Sequence, residues 1–396
     1  MAEKLNYQCK FEKYKEELIN LWQHFHRHPE LGLQEYETSA FIRDYLENLG
    51  YRLQIVEPTG IIAEHPCQDS NAFASKKKVV LRAEMDALPI QEQTGLLYAS
   101  ENDGIMHACG HDGIVATVLV LARILAEEGD AFPVRMRFLF EPAEEIGEGA
   151  KRMLTAGALD EEPDAFLMFH YAVDQPLGMA VHEGQASAMI NGMEIHVHGK
   201  SSHWCEADKG IDSIYAASLV VKAFHEINRN YKGKGPCLVG IGSIHGGEYA
   251  NIIADSVIMR GNIRAAYEED YVTLDKKIKE SLKEIEARTG TRIEMEYPKP
   301  VVLPFANDPW LTKIAEAAGK KVFGKRFFLE GEDQLFLSGD NAYRYFLQTK
   351  GVFCVFLAGI PEKVYPLHHP KFQIDEEILL YSLEALYEIL AGIGSK

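Results

Sequence analysis

The chain has 396 residues, 46% hydrophobic and 25% charged, an ordinary balance for a soluble globular protein with material for several domains. Acidic side chains outnumber basic ones 59 to 41, and the net charge of -18 argues against nucleic acid or an anionic membrane as partner, because phosphate binding needs a basic surface. The start, Met1 to Asn6, lacks the apolar core of a signal peptide, and no stretch approaches the roughly 18 apolar residues of a membrane span. The six cysteines (Cys9, Cys67, Cys109, Cys205, Cys237, Cys354) are scattered without a CxxC pair, so the expectation is a reduced, cytoplasmic protein.

The first elements are helical. Leu18, Trp22 and Phe25 mark one apolar stripe between Phe11 and His26, and Phe41, Tyr45, Leu46 and Leu49 mark a second between Glu35 and Leu49, with Gly50 as its stop. A hydrophilic stretch, Glu64 to Lys78, reads as a surface excursion. Short apolar runs follow at Val79 to Leu81, Val134 to Phe140, Ala165 to Phe169 and Val352 to Leu357, with helical patterns between the first three. Near-continuous apolar runs suit strands buried on both faces of a helix-covered sheet. Between them the order changes to strand (Met193 to Val197), helix (Ser213 to Asn228), strands (Leu238 to Ile244, Val257 to Ala265), helix (Tyr271 to Ile285, stopped by Gly290) and strand (Ile293 to Tyr297). That order is ferredoxin-like. The predicted fold is α/β: a catalytic domain with a mostly parallel central sheet flanked by helices, residues 1–189 and 304–396, carrying an inserted ferredoxin-like α+β lid domain, 190–303.

Polar residues collect where the apolar runs stop. Glu84 and Asp86 follow Leu81, Glu141, Glu144 and Glu145 follow Phe140, and His170 follows Phe169. His368 and His369 come a loop after Leu357, and His107-Ala-Cys109-Gly-His111-Asp112 opens a helical run from Gly113 to Glu127. Ligands of open α/β sheets bind beyond the carboxyl ends of the strands, so these groups are expected to converge. Thiolate, imidazole and carboxylate together suit zinc, manganese, cobalt or nickel, and more than four candidate ligands suggest two ions. Glu144 and Glu145 are adjacent and point apart, so one can bind metal while the other faces a water. Singly, each residue has a plainer reading: a solvated histidine, an exposed glutamate pair, a buried small thiol. HExxH and GxSxG are absent, and Gly240-Ile-Gly242 lacks the third glycine of a dinucleotide fingerprint.

The combined pattern resembles the aminoacylase and carboxypeptidase-type di-metal hydrolases, in the amidohydrolase branch that includes hippurate hydrolase, N-acyl-amino-acid amidohydrolases and indole-acetyl-amino-acid hydrolases. The resemblance runs over nearly the whole chain. It takes in His26-Arg-His28-Pro29-Glu30-Leu31-Gly32 with Glu37-Thr38, Arg82-Ala-Glu84-Met-Asp86-Ala-Leu-Pro89, and His107 to Gly113. It continues through Pro142-Ala-Glu144-Glu145 with Gly147, Gly149 and Ala150, Phe169-His170, Gly199-Lys200-Ser-Ser-His203, Gly246-Gly247 with Asn251, Gly261-Asn-Ile-Arg264, and His368-His369-Pro370. It implies that Cys109, His111, Glu145, His170 and His368 are metal ligands, that Glu144 is the general base and that Asp86 supports the site. It further implies that His203 stabilises the oxyanion, often from a partner subunit, that Asn251 and Arg264 hold the substrate, and that the lid supplies a homodimer interface. Departures from the branch's usual residues stand at Glu84, Glu141, Ile114, the run Ser201 to Asp208, and Gly339-Asp340-Asn341. The run from Ser201 and the change at Gly339 are expected to lie where substrate is gripped.

The expected activity is metal-dependent hydrolysis of the linear amide of an N-acyl amino acid, a small molecule. Rivals on the same site are a dipeptidase and a carbamoyl or other small-amide hydrolase. A non-catalytic binding protein that kept the fold and a cysteine hydrolase built on Cys109 and His111 are the rivals of other classes.

Overall fold

The computed structural model describes residues 9–66, 75–331, 335 and 337–395. Cys67 and residues 67–74 of the expected surface excursion lie outside the described residues. A short 3-10 turn, Glu12–Tyr14, leads into helix α1 (Lys15–Arg27), which buries Leu18, Leu21, Trp22 and Phe25 at helical spacing. In chain order there follow α2 (Tyr36–Asn48), β1 (Arg52–Val56), β2 (Gly60–Glu64), β3 (Lys77–Glu84), α3 (His111–Glu128), β4 (Val134–Glu141), α4 (Gly149–Thr155), β5 (Ala165–Pro176) and β6 (Gly178–His182). Next come β7 (Met189–His198), β8 (Ser202–His203), α5 (Ser213–Asn230), β9 (Cys237–Gly246), β10 (Ile252–Ile253), β11 (Ser256–Ala265), α6 (Glu268–Thr289) and β12 (Arg292–Glu296). The chain closes with α7 (Pro309–Phe323), β13 (Phe327–Glu330), α8 (Tyr343–Phe346), β14 (Gly351–Gly359) and α9 (Glu377–Gly394).

The chain divides into two compact units. One comprises Met1–Gly184, Ala306–Gly331 and Asn341–Lys396; the other comprises Gln185–Phe305 and Glu332–Asp340. The expected boundaries at 190 and 303 fall inside the first stretch of the smaller unit. Residues 332–340, expected with the larger domain, group with the smaller one.

The larger unit is built on an eight-stranded sheet in the order β1-β2-β4-β3-β5-β14-β6-β13. Its centre, β4-β3-β5-β14, is wholly parallel, and β6-β13 adds a fourth parallel pairing. The antiparallel pairings, β1-β2, β2-β4 and β14-β6, lie toward the margins. Helices α3 and α9 pack on this sheet and on each other, with α1 and α7 against them. Strand β4 alternates apolar residues with Arg135 and Arg137, as a half-solvated strand would, yet Arg137 is buried. Its guanidinium pairs with Glu64 and donates to the carbonyls of Gly157, Ala158 and Asp160, which makes the burial tolerable.

In the smaller unit the four strands run in the order β12-β7-β11-β9, all antiparallel, with α5 and α6 as the two connecting helices. Numbered within the unit this is the order 4-1-3-2 of a ferredoxin-like sheet. Met193, Ile195 and Val197 of β7 enter its core with Val220 and Phe224 of α5 and Leu274, Ile278 and Leu282 of α6. The alternate residues Glu194, His196 and His198 occupy the opposite face. No helix among the described residues is long and apolar enough to cross a membrane.

Candidate metal centre

Six of the residues singled out in the sequence come together in the larger unit, although they arrive from different elements. Glu144 and Glu145 follow β4, His170 lies in β5, His111 is the first residue of α3, and His368 sits in the loop before α9. Gly110 precedes His111 with φ 88°, a left-handed conformation that glycine takes at little cost. Potential ligand atoms of Cys109, His111 and His170 lie within 4.8 Å of one another, as do those of Cys109, Glu145 and His368, and those of His111, Glu144 and Glu145. The three groups share members, so they describe one cluster with space for more than one ion.

The neighbours of these residues aim them. His111 donates from Nδ1 to the Asp86 carbonyl at 2.9 Å, and His170 Nδ1 pairs with the Tyr171 carbonyl at 2.8 Å. Each imidazole therefore carries its lone pair on Nε2, the usual orientation of a metal-binding histidine, and that of His170 lies 3.5 Å from Cys109 Sγ. The Asp86 carboxylate accepts the Glu145 backbone N–H at 3.0 Å and lies 3.4 Å from His111 Nδ1. Buried Asp86 thus ties the segment just after β3 to two of the clustered residues. His368 Nε2 is 3.5 Å from Glu145 Oε2, and its backbone N–H donates to the Ala108 carbonyl. His369 faces elsewhere, stacked on Tyr365 at 4.8 Å and accepting the Lys371 N–H.

The donor set fits divalent metal. His111 Nε2 and Glu145 Oε1 are buried and have no hydrogen-bond partner among the described residues. Two orphaned buried lone-pair atoms in one cluster would be expensive unless a cation satisfied both. Burial holds the Cys109 thiol far above its usual range, so a thiolate there requires adjacent positive charge. Burial would push Glu145 up, but His368 and His111 overcome it and bring its carboxyl down to about 2.

A layer beneath the cluster was only partly visible in the sequence. Fully buried His26 pairs through Nδ1 with Asp112 at 2.7 Å and through Nε2 with Glu92 at 3.3 Å, so the first motif locks onto the residue beside His111. Arg82, also fully buried, donates to Glu141 through Nε and Nη2 at 2.9 and 3.0 Å, to Glu84 at 2.6 Å and to the Asn341 side-chain oxygen at 2.8 Å. Three of the departures from the expected pattern therefore meet on one guanidinium. Asn341 belongs to this buried network, whereas Gly339 lies in the smaller unit against Ala188 and Ile190.

The remaining candidates lie in the smaller unit. His203 pairs with Ile252 in the short β8-β10 ladder. Its Nδ1 accepts the Cys205 N–H at 3.2 Å and its Nε2 lies 3.4 Å from Asn251 Nδ2. Both side chains are exposed. Arg264 is held by Asn262 and by the Leu337 carbonyl at 2.7 Å. Trp204 is exposed, and Glu206 pairs with Lys209 at the surface. Glu35, which accepts the N–H of Ala143 in the turn before Glu144, stands in the sequence only as the start of a helical stripe. A lone glutamate ahead of a helix looks solvated, and only its burial marks it.

Residues 80–392 match the model of peptidase family M20/M25/M40. The chain belongs to that family. Membership makes it a metal-dependent hydrolase. An N-acetyl-L-cysteine deacetylase of Bacillus subtilis is 31% identical, over 94% of this chain and 87% of that one. Thermostable carboxypeptidase 1 of Saccharolobus solfataricus is 30% identical, over 95% of this chain and 94% of that one. The crystal structure of a dinuclear metal-binding M20 peptidase from Bacillus subtilis superposes with a TM-score of 0.78 at 29% identity, covering 96% of this chain and 98% of that one. The likeness thus extends over both units and includes relatives named for two kinds of amide cleavage.

Proposed function

We propose that the chain hydrolyses the amide bond of N-acyl amino acids, using two divalent metal ions held by Cys109, His111, Glu145, His170 and His368. The observation that carries this reading is the convergence of thiol, imidazole and carboxylate atoms on one partly buried cluster with orphaned His111 Nε2 and Glu145 Oε1. Zinc, manganese, cobalt and nickel all suit that donor set. Bound there, the ions supply Lewis acidity, polarising the scissile carbonyl and bringing the pKa of a water from 15.7 to roughly 7. Glu144, beside the proposed ligand Glu145, takes the proton of the attacking water and hands it to the departing amine. Asp86 keeps His111 and the Glu145 backbone in place throughout. His203 donates a hydrogen bond to the developing oxyanion. Asn251 and Arg264 hold the carbonyl or carboxylate of the substrate. The smaller unit acts as a lid and as the interface of a homodimer.

The deacetylase relative makes N-acetyl amino acids the first substrates to try, and the carboxypeptidase relative makes short peptides the comparison. The test is hydrolysis of a panel of N-acyl amino acids, dipeptides and N-carbamoyl amino acids, with metal per chain measured alongside. The expected result is about two metals per chain and chelator-sensitive cleavage of an N-acyl amino acid. Glu144→Gln is expected to lower kcat by at least about 10²-fold with metal content retained. Preference for a free α-amine would reassign the protein to the dipeptidases, and full activity of Glu144→Gln would remove that residue as base.

A further inference from the structure

After strand β4 ends at Glu141, the chain must reverse within two residues if Glu144 and Glu145 are to enter the cluster together. Ala143 makes that reversal at φ 55°, in the left-handed region that a side chain disfavours. Ala143 is fully buried, so its N–H needs a partner within the protein. The partner is Glu35, whose Oε1 accepts it at 2.8 Å. Glu35 comes from the segment before α2, is fully buried itself, and accepts the Thr59 hydroxyl on its other oxygen at 2.6 Å. The Ala143 carbonyl is fixed from the far side by the N–H groups of Glu148 and Gly149 at 3.1 and 3.3 Å. Gly32 completes the cradle: a Cβ there would stand 3.0 Å from Ala143 Cα and 3.3 Å from Asp86 Oδ2. The Glu30 carbonyl accepts the Ala87 N–H at 2.8 Å. Residues 30–35 therefore grip both the Asp86 turn and the Ala143 turn.

Two unfavourable choices meet at this point. A left-handed alanine carries backbone strain, and a fully buried carboxyl group is a poor way to stabilise a fold. Burial pushes the Glu35 carboxyl upward, against the hydrogen bonds that Thr59 and Ala143 give it. An apolar side chain would fill the space more cheaply. It would leave the Ala143 N–H without a partner and the turn without a stop.

We propose that Glu35 is a positioning residue for the hydrolysis: by fixing the Ala143 backbone it sets the direction in which Glu144 leaves the chain. The inference rests on the reading of Glu144 as general base. What matters is the reach of an acceptor oxygen to the Ala143 N–H, not negative charge. Glu35→Gln keeps reach and acceptor while losing charge. Glu35→Asp keeps charge but draws the oxygen back by one methylene.

The experiment measures kcat, KM, thermal unfolding and metal per chain for Glu35→Gln, Glu35→Asp and Glu35→Ala, all at saturating divalent metal and on the best substrate of the panel. Glu35→Gln is expected within about threefold of wild type. Glu35→Asp is expected to lose on the order of 10²-fold in kcat with KM within about threefold, the loss typical of a reacting group displaced by about 1 Å. Glu35→Ala is expected to lose at least as much. The contrast between Gln and Asp decides the matter even if the alanine variant does not fold. Full kcat per folded chain in Glu35→Asp overturns the proposal, as does a Glu35→Gln variant as impaired as Glu35→Asp. Glu144→Gln, run in parallel, separates the two ideas. If it is fully active, the base assignment itself has failed. If it is inactive while Glu35→Asp is fully active, only the positioning role has failed.

Discussion

At the scale of single residues, His26 is the group whose ionisation is most clearly tied to the fold. Burial by itself would push its imidazole down, but the hydrogen bonds to Asp112 and Glu92 win and bring it up to about 9. The ordinary value is 6.5. A folded-state pKa raised above the unfolded one stabilises the protein fully below pH 6.5 and loses that contribution as pH climbs through about 9. Metal-saturated protein is therefore expected to lose thermal stability between these limits, and His26→Asn is expected to show a flatter profile from a lower starting point. Parallel profiles for the two proteins would show that the imidazole titrates the same way folded and unfolded. The residue itself was legible, since His26 opens the first motif. Its partners were not, because 86 positions separate it from Asp112 and only the fold brings them to 2.7 Å.

At the scale of elements, what the sequence revealed depended on how each strand is covered. The central strands β3, β5 and β14 are buried on both faces and read as continuous apolar runs. The marginal strands β1, β2, β6 and β13 escaped notice because each has only four or five residues and two of them begin at glycine. Helix α9 escaped for another reason: it is buried on most sides, so its apolar residues do not mark a single stripe. The Glu141–Gly149 turn was legible as a motif but not as a constraint. A Cβ on Gly149 would stand 1.9 Å from the Pro142 carbonyl oxygen and 2.6 Å from Glu141 Cγ, so Gly149→Ala must displace the backbone just before Glu144. Gly147 has φ 76° but open space around it. Gly147→Ala is expected to cost about 1 kcal/mol of stability with kcat unchanged. Gly149→Ala is expected to cost about 1–3 kcal/mol and also lose activity at saturating metal. Thermal unfolding and kcat on the two variants check this, and equal kcat in both would mean the turn tolerates the shift.

At the scale of the whole molecule, the chemistry is divided unequally. The proposed metal ligands and the base lie in the larger unit, and His203, Asn251 and Arg264 lie in the smaller. The sequence order predicts an inserted domain, because the interruption by a ferredoxin-like pattern is a change in the rhythm of elements. The return of residues 332–340 to the smaller unit was not legible, since no helix or strand periodicity marks that stretch of sequence. The division makes metal removal a local test. An ion that binds only the folded chain stabilises it by about 2.7 kcal/mol at a hundredfold excess over Kd. If the ligands are those proposed, chelation withdraws that stabilisation from the segments that hold them. Hydrogen exchange is then expected to rise in the segments around Cys109 and His111, Glu144 and Glu145, His170, and His368. It is expected to stay unchanged in the buried strands around Ile195 and Met259, whose core with α5 and α6 contains none of these groups. Faster exchange in those strands, with the four segments still protected, would place the ions in the smaller unit and refute the ligand set. The same measurement on Glu145→Gln is expected to resemble the chelated wild type at metal concentrations that protect the wild type fully, because one carboxylate serves two of the three ligand groups.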